Sequence, residues 1–395
     1  MKNKVRILFF GLMFVKCHFA FTQTNIYDTI LHASLQRTYL LHIPPSYNSA
    51  NSTPLIIGLH GGASNSWYSL EEMSKLIAKS NSSGFILVYP EGVKFLGMRT
   101  WNGGGCCGYA VSSNIDDVGF INALIDSLRS QYNIDTTRIY ATGISNGAIM
   151  AYRLACELSH RIAAIAVVAG TLEDTHYTCI PLRPVPIIQF HSVLDSNIYM
   201  QGGVGQGISG YNFNPVNYGL QKFATFNNCV SVPDSNYYTA GNTFYYKKRW
   251  SNCSCNAKEI LYVTGDGGHS WHGGQQGSYA GADPPSLIIN ANDSMWIFFQ
   301  QHPLCNPTAV NNFQNITLFA NIYPNPTSGI ITLQLSDDKI KNADLKIFDL
   351  FGRSVFQKDI NTKHETLNLN LPNGMYFYQI KNKQQIVAIG KIIIQ

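Results

Sequence analysis

Five residues, Gly143-Ile144-Ser145-Asn146-Gly147, enclose a serine between glycines at a point where the local pattern changes. Before them, residues 138–142 form a short apolar run of the kind that makes a buried strand. After them, Ala148, Ala151 and Ala155 recur at helical spacing and would let a helix pack closely on a sheet. A serine caught in a tight strand-to-helix turn projects its hydroxyl outward, and flanking glycines relieve the crowding. The chemistry this suggests is nucleophilic attack by the Ser145 oxygen. That needs a base to take its proton and a third group to orient the base.

The turn resembles the nucleophile elbow of α/β-hydrolases, in which an acid and then a histidine follow along the chain, each after a strand. Asp195 lies just after the apolar run 187–191, in a turn with Ser196 and Asn197, and is the expected acid. Glu173 and Asp174, after an earlier strand, are the alternative. His269 stands in Gly265-Asp266-Gly267-Gly268-His269-Ser270-Trp271, a glycine-rich loop after the last apolar run, and is the expected base. His272 is its competitor. His191 reads as a structural hydrogen-bonding histidine, and His160, His176 and His302 as solvated or packed polar residues.

Acyl transfer also requires donors for the tetrahedral oxyanion, each worth roughly 10²–10³ in turnover. The backbone N–H of Asn146 is one candidate. The turn Leu59-His60-Gly61-Gly62-Ala63-Ser64 supplies the other, through Gly62 or Ala63. The run Trp101-Asn102-Gly103-Gly104-Gly105-Cys106-Cys107-Gly108 has no lysine or hydroxyl placed for a phosphate loop. It reads as a disulfide-pinned loop that rims the pocket through Trp101, and Trp271 is a second candidate pocket residue.

These side chains need a scaffold, and the composition can build one. The chain has 395 residues, 45% of them apolar, which is enough for one large domain and an appendage. Charged residues are only 13% and the net charge is +5, with no Lys/Arg block. That excludes an electrostatic nucleic-acid binder. Residues 1–22 read as an export signal: Lys2, Lys4 and Arg6 precede an apolar stretch too short to cross a bilayer. No other run reaches spanning length.

Nine cysteines become eight once Cys17 leaves with the signal, an even set that suits an oxidising compartment and up to four disulfides. Cys229 is expected to close on Cys253 or Cys255. Cys253-Ser254-Cys255 lacks the matched second pair of a metal site, so neither metal nor cofactor is expected.

Along residues 23–303, apolar runs at 54–60, 85–90, 138–142, 162–168, 186–191 and 259–264 alternate with helical patterns at 71–79, 117–128, 216–223 and 293–300. This alternation predicts an α/β fold with a doubly wound, mostly parallel sheet. Residues 304–317 read as a linker. From 318 to 395 the period becomes two, as in Ile331, Leu333 and Leu335, then Leu345 and Ile347, then Leu367, Leu369 and Leu371. Turns such as Pro372-Asn373-Gly374 separate the runs. A small all-β sandwich is expected there.

The catalytic part resembles the secreted polyhydroxybutyrate depolymerase family of esterases, which includes feruloyl esterases. The matching residues are Leu59-His60-Gly61-Gly62, Trp101 to Gly108, Asp116-Asp117-Val118-Gly119-Phe120, the serine pentad with Met150 to Cys156, Phe190-His191 to Asp195, and Gly268-His269-Ser270-Trp271. The resemblance implies an α/β-hydrolase with Ser145, Asp195 and His269 as its triad. Ser192, Tyr199-Met200 and His272 depart from the residues common in the family, which leaves the substrate open. The tail, through Tyr323-Pro324-Asn325-Pro326, Asp349-Leu350-Phe351-Gly352-Arg353 and Leu371-Pro372-Asn373-Gly374-Met375-Tyr376, resembles the C-terminal sorting domain of type IX secretion. That implies secretion machinery as a partner and delivery outside the cell or onto its surface. The resulting expectation is a serine carboxylic-ester hydrolase acting on feruloyl or acetyl esters of plant polysaccharide, or on polyhydroxyalkanoates. The alternatives are a non-catalytic carbohydrate- or surface-binding protein on the same scaffold, and a serine peptidase.

Overall fold

The computed structural model describes residues 24–305, 320–335, 343–349, 352–382 and 385–395. The signal segment 1–22 lies outside the described residues, as does all but the first two residues of the linker 304–317. Contacts divide the chain into two units, parted between residues 306 and 307.

The first unit is built on a ten-stranded sheet. Its strands are β1 (Thr24–His32), β2 (Leu35–Ile43), β3 (Thr53–Leu59), β4 (Ile86–Pro90), β5 (Ile134–Ile144), β6 (Ala164–Val168), β7 (Ile187–Ser192), β8 (Asp234–Ala240), β9 (Thr243–Trp250) and β10 (Glu259–Thr264). They lie in the order β1-β2-β4-β3-β5-β6-β7-β10-β9-β8. The six central strands are parallel. Strands β3, β4, β6 and β7 are buried at every position, which is why they read as continuous apolar runs rather than alternating ones. Two antiparallel hairpins, β1–β2 and β8–β9, extend the sheet at its two edges. The sequence reading did not include them. They carry Tyr, Thr and charged residues, and β8 is exposed throughout, so no apolar run marks it.

Helices cover both faces. On one side lie α3 (Asp117–Gln131), α4 (Asn146–Glu157) and α5 (Asn217–Phe226), packed through Phe120, Ile121, Ile149, Tyr152 and Phe223. On the other lie α1 (Tyr68–Ser74), α2 (Leu76–Ser83) and α6 (Ala291–Gln301), packed through Leu70, Leu76, Met295 and Phe299. The single helix expected over 71–79 is two, broken where Lys75 adopts a left-handed conformation at φ 57°. Helix α3 is capped at its start: the Asp116 side chain accepts from Gly119 N at 2.8 Å.

The second unit has a three-stranded and a four-stranded antiparallel sheet. The first joins β11 (Ala320–Tyr323), β12 (Ile330–Leu335) and β15 (His364–Asn368). The second joins β13 (Ala343–Phe348), β14 (Ser354–Ile360), β16 (Gly374–Asn382) and β17 (Gln385–Ile394). Ile331, Leu333 and Leu335 from one sheet and Leu345, Ile347 and Ile380 from the other share one core, as the period-two pattern requires. Leu369 and Leu371 fall just beyond β15.

Candidate active site

Strand order reverses between β3 and β5: β4 lies on one side of β3 and every later parallel strand on the other. In open α/β sheets, ligands bind beyond the carboxyl ends of strands at such a switch point. The turn after β3 holds Gly61 and Gly62, and the turn after β5 holds Ser145. A Cβ placed on Gly61 would lie 3.5 Å from Ser145 Cβ, and one on Gly62 would lie 3.3 Å from Asn146 Cβ. The two loops therefore touch.

Ser145 sits at φ 56°, ψ −123°, a strained conformation for a residue with a side chain. Its N–H is held by Val168 O at 3.0 Å, and its carbonyl accepts from Ile149 N at 3.0 Å, so both neighbouring elements enforce the bend. The two glycines of the pentad have separate steric causes. A Cβ on Gly143 would come within 2.6 Å of the Gly147 backbone, and one on Gly147 would strike the carbonyls of Leu59 and His60.

The Gly61–Gly62 peptide is oriented by its carbonyl. Gly61 O accepts from His60 Nδ1 at 2.8 Å and from Ser64 Oγ at 2.7 Å. His60 Nε2 accepts from Gly92 N at 3.0 Å, which fixes the tautomer with the proton on Nδ1. Burial holds this imidazole neutral, its pKa pulled down to about 4. In a trans peptide the N–H opposes the C=O, so the Gly62 N–H points away from His60. Asn146 opens α4, so its own N–H has no partner within the helix.

Strand register brings the remaining groups level with Ser145. Ile144 aligns with Val168, Val168 with Phe190 and Phe190 with Tyr262. Asp195 follows β7 and His269 follows β10, the next strand over, so all three groups emerge from one edge of the sheet. His269 Nδ1 lies 2.9 Å from Asp195 Oδ2. The other carboxylate oxygen accepts from Asn197 N and Ile198 N, both at 2.9 Å. Asp195 is 1% exposed and His269 7%, whereas Ser145 is partly exposed. An ionised carboxylate only accepts, so Nδ1 carries the proton and Nε2 is left as the basic nitrogen.

Charge follows geometry. Burial works against the Asp195 carboxylate, but the His269 imidazole, then His191 and the Ile198 N–H, outweigh it and hold the carboxyl below its ordinary range. Burial likewise disfavours the His269 imidazolium. The Asp195 charge and hydrogen bond, with Asp283 behind them, reverse that and raise its pKa. His269 N also donates to Asp283 Oδ2 at 2.7 Å, which anchors the loop.

The alternative residues have other partners. His272 is buried against Thr264 Oγ1 and the His191 carbonyl, each at 3.2 Å, and burial pulls its pKa down to about 4. His191 Nε2 bonds Ile198 O at 2.8 Å, a structural contact. Glu173 accepts from Asn214 N at 2.7 Å, and Asp174 is paired with Lys222.

Both tryptophans expected at the pocket are instead fully buried. Trp101 Nε1 donates to His60 O at 3.0 Å, and Trp271 Nε1 donates to Asn292 Oδ1 at 2.9 Å. A large ring with one donor is most stable where it fills a core and finds an acceptor, and Trp101 also packs on His60 with ring centroids 5.0 Å apart.

Asp117 is a supporting residue that the sequence placed only in the run Asp116 to Phe120, with no role of its own. Buried beside Arg37, it accepts from Asn102 N at 2.7 Å and so fixes the loop that carries Trp101 and the Cys106–Cys107 disulfide. The other disulfides are Cys156–Cys179, Cys229–Cys253 and Cys255–Cys305. Cys253, rather than Cys255, is thus the partner of Cys229.

Residues 37–185 match the sequence profile of the esterase PHB depolymerase family, and residues 321–395 that of the secretion system C-terminal sorting domain. The chain is 29% identical over 248 residues to feruloyl esterase B of Piromyces equi, covering 61% of this chain and 44% of that protein. It is 30% identical over 161 residues to a bifunctional acetylxylan esterase/xylanase of Neocallimastix patriciarum, covering 41% and 22%. With a probable feruloyl esterase C of Aspergillus terreus the identity is 27% over 270 residues, covering 67% and 83%. The chain spans less than half the length of the first two relatives.

Proposed function

We propose that this chain, whose residues 37–185 match the esterase PHB depolymerase profile and whose residues 321–395 match that of the secretion sorting domains, is an exported serine carboxylic-ester hydrolase. The observation that carries the reading is the 2.9 Å contact between His269 Nδ1 and Asp195, made at the sheet edge from which the strained Ser145 also emerges.

In this mechanism His269 Nε2 removes the Ser145 proton as the oxygen attacks the ester carbonyl. Asp195 holds the imidazole in the required tautomer and stabilises the imidazolium that forms. The N–H groups of Gly62 and Asn146 receive the oxyanion. When the tetrahedral intermediate collapses, the C–O bond to the alcohol breaks and His269 gives that oxygen its proton. Water, deprotonated by the same nitrogen, then attacks the acyl-enzyme. A second collapse releases the carboxylic acid and returns the proton to Ser145. These groups and water account for every proton and bond.

The substrate class proposed is the feruloyl or acetyl ester of a plant polysaccharide, or a short-chain polyhydroxyalkanoate. The relatives named for feruloyl and acetylxylan esters support the first. The tail supports delivery outside the cell, where such polymers are met. No helix among the described residues is long and apolar enough to cross a membrane.

The test is hydrolysis of p-nitrophenyl acetate by the mature chain beside its Ser145→Ala variant, followed by methyl ferulate, acetylated xylan and polyhydroxybutyrate. Turnover of at least one ester, lost in the variant, is expected. Turnover of peptides alone would replace the esterase reading with a peptidase, and unchanged turnover in Ser145→Ala would remove the proposed nucleophile.

A further inference from the structure

Arg183 is a buried cation with no carboxylate paired to it among the described residues. It lies just before β7, at the end of the sheet opposite Ser145, Asp195 and His269. Two of its N–H groups bond the carbonyls of Ile162 and Pro184. Its Nε is buried without a hydrogen-bond partner, and among the described residues no ion pair includes it. Backbone carbonyls satisfy hydrogen bonds, but they do not neutralise a charge taken out of water, and an unpaired buried charge is costly.

The space beside Arg183 is open. A cavity of about 230 Å³ is lined by Arg183, Asn256, Gln301, His302 and the Cys255–Cys305 disulfide, with prolines closing its walls. None of its lining residues is an Asp or Glu. Residues 306–319, which follow Cys305 in the chain, contain neither residue type, so that stretch carries no counter-charge of its own. The nearby charge has the same sign: Lys258 acts on His302 to disfavour its protonation. The negative end of α6 is already capped, since His302 Nδ1 meets Phe298 O at 2.7 Å. Burial alone pulls the guanidinium down to about 10, with no acidic group to offset it.

We propose that this cavity binds a small oxyanion, a carboxylate or phosphate group, on the uncompensated charge of Arg183 that lines it. Of the five guanidinium N–H groups two are bonded to carbonyls, which leaves donors for an anion's oxygens. The site is separate from the ester-cleaving edge and does not depend on it.

The experiment is thermal unfolding of the mature chain titrated with inorganic phosphate and, separately, with acetate, at an ionic strength held constant with chloride. A saturable rise in Tm of roughly 2–5 °C is expected with at least one anion, and comparing the two arms assigns the chemistry. The rise is expected to vanish in Arg183→Met. In Arg183→Lys, which keeps the charge but loses the planar guanidinium and its two carbonyl anchors, half-saturation should need about tenfold more anion. No saturable rise with either anion overturns the proposal, as does an equal rise in Arg183→Met. If Arg183→Met does not fold, an unchanged half-saturation in Arg183→Lys overturns it. Ser145→Ala should keep the full rise, so loss of the ester-hydrolase reading and loss of this site are read independently.

Discussion

Asn146 and Trp101 exchange two hydrogen bonds: Trp101 N donates to Asn146 Oδ1 at 2.7 Å, and Asn146 Nδ2 donates to Trp101 O at 3.0 Å. The residue beside the proposed nucleophile thus binds the disulfide loop through its side chain while its backbone N–H faces the proposed oxyanion. Both residues are buried, so neither half of the exchange can be taken over by water. Truncation in Asn146→Ala leaves the Trp101 N–H without its acceptor, while Trp101 O keeps the Gly103 N–H at 3.1 Å. The expected outcome is a loss of about 1–3 kcal/mol in stability by urea unfolding. A fall in kcat with little change in KM should accompany it, because the Asn146 N–H loses its alignment. Wild-type stability in this variant would show that the loop is held by other contacts.

Ser145 occupies a strained backbone conformation held by hydrogen bonds to Val168 and Ile149. In Ser145→Gly the strain at φ 56° is relieved, and the variant is expected to unfold about 1 kcal/mol later than Ser145→Ala, which keeps the strain. Both should lose roughly 10⁵–10⁶ of kcat. Paired denaturation curves check this, and equal stabilities would mean that the elbow is not strained.

Replacing the acid tests the orienting role. Asp195→Asn keeps the shape of the side chain but turns its NH₂ or C=O toward His269, so the wrong imidazole tautomer is favoured. A drop in kcat of about 10⁴ is expected. The same change in Glu173, the alternative acid, should leave kcat within a few-fold of wild type, because Glu173 is engaged with Asn214. Steady-state kinetics of Asp195→Asn and Glu173→Gln on p-nitrophenyl acetate decide between them.

The pH profile follows from two opposed shifts. His269 must be neutral to act as base, and its pKa is raised above the ordinary 6.5, so kcat/KM should climb through a limb centred above 6.5. Stability runs the other way. The Asp195 contribution is present above the ordinary carboxyl value of 3.8 and is lost as pH falls through the lowered folded value. The His269 contribution is complete below 6.5 and is lost as pH rises through its raised folded value. The pair therefore stabilises the fold most between about 4 and 6.5, below the pH at which the proposed base becomes neutral. Tm and kcat/KM measured across pH 3–9 should show displaced maxima, and coincident maxima would refute the coupling.

Cys156–Cys179 ties the end of the nucleophile helix α4 to the segment before β7. Opening it in the double variant Cys156→Ala, Cys179→Ala frees a loop with a sequence separation of 23 in the unfolded chain. That should cost about 3 kcal/mol by denaturant titration, with the activity of the folded fraction retained. Activity lost in step with the bond would instead place it in the positioning of Ser145.

Much of this architecture was legible along the chain because its causes are local. Two glycines around Ser145, small residues at helical spacing after it, and strands buried on both faces leave patterns within a dozen residues. The relative order of Ser145, Asp195 and His269 follows from those patterns, and so does the alternation that separates the two sheets of the tail. Contacts between distant segments left no such trace. Trp101 and Trp271 looked like pocket residues because an aromatic in a glycine-rich loop resembles one in sequence. Only packing showed both indoles buried and bonded to His60 O and Asn292 Oδ1. Cys253 and Cys255 are equivalent in a list of cysteines, and the turn after α5 decides which one reaches Cys229. The bond from Asp117 to Asn102, the lone charge of Arg183 and the two edge hairpins likewise depend on which surfaces meet. Periodicity and turn chemistry act over a few residues, and partnership between segments is settled by the geometry of the folded sheet.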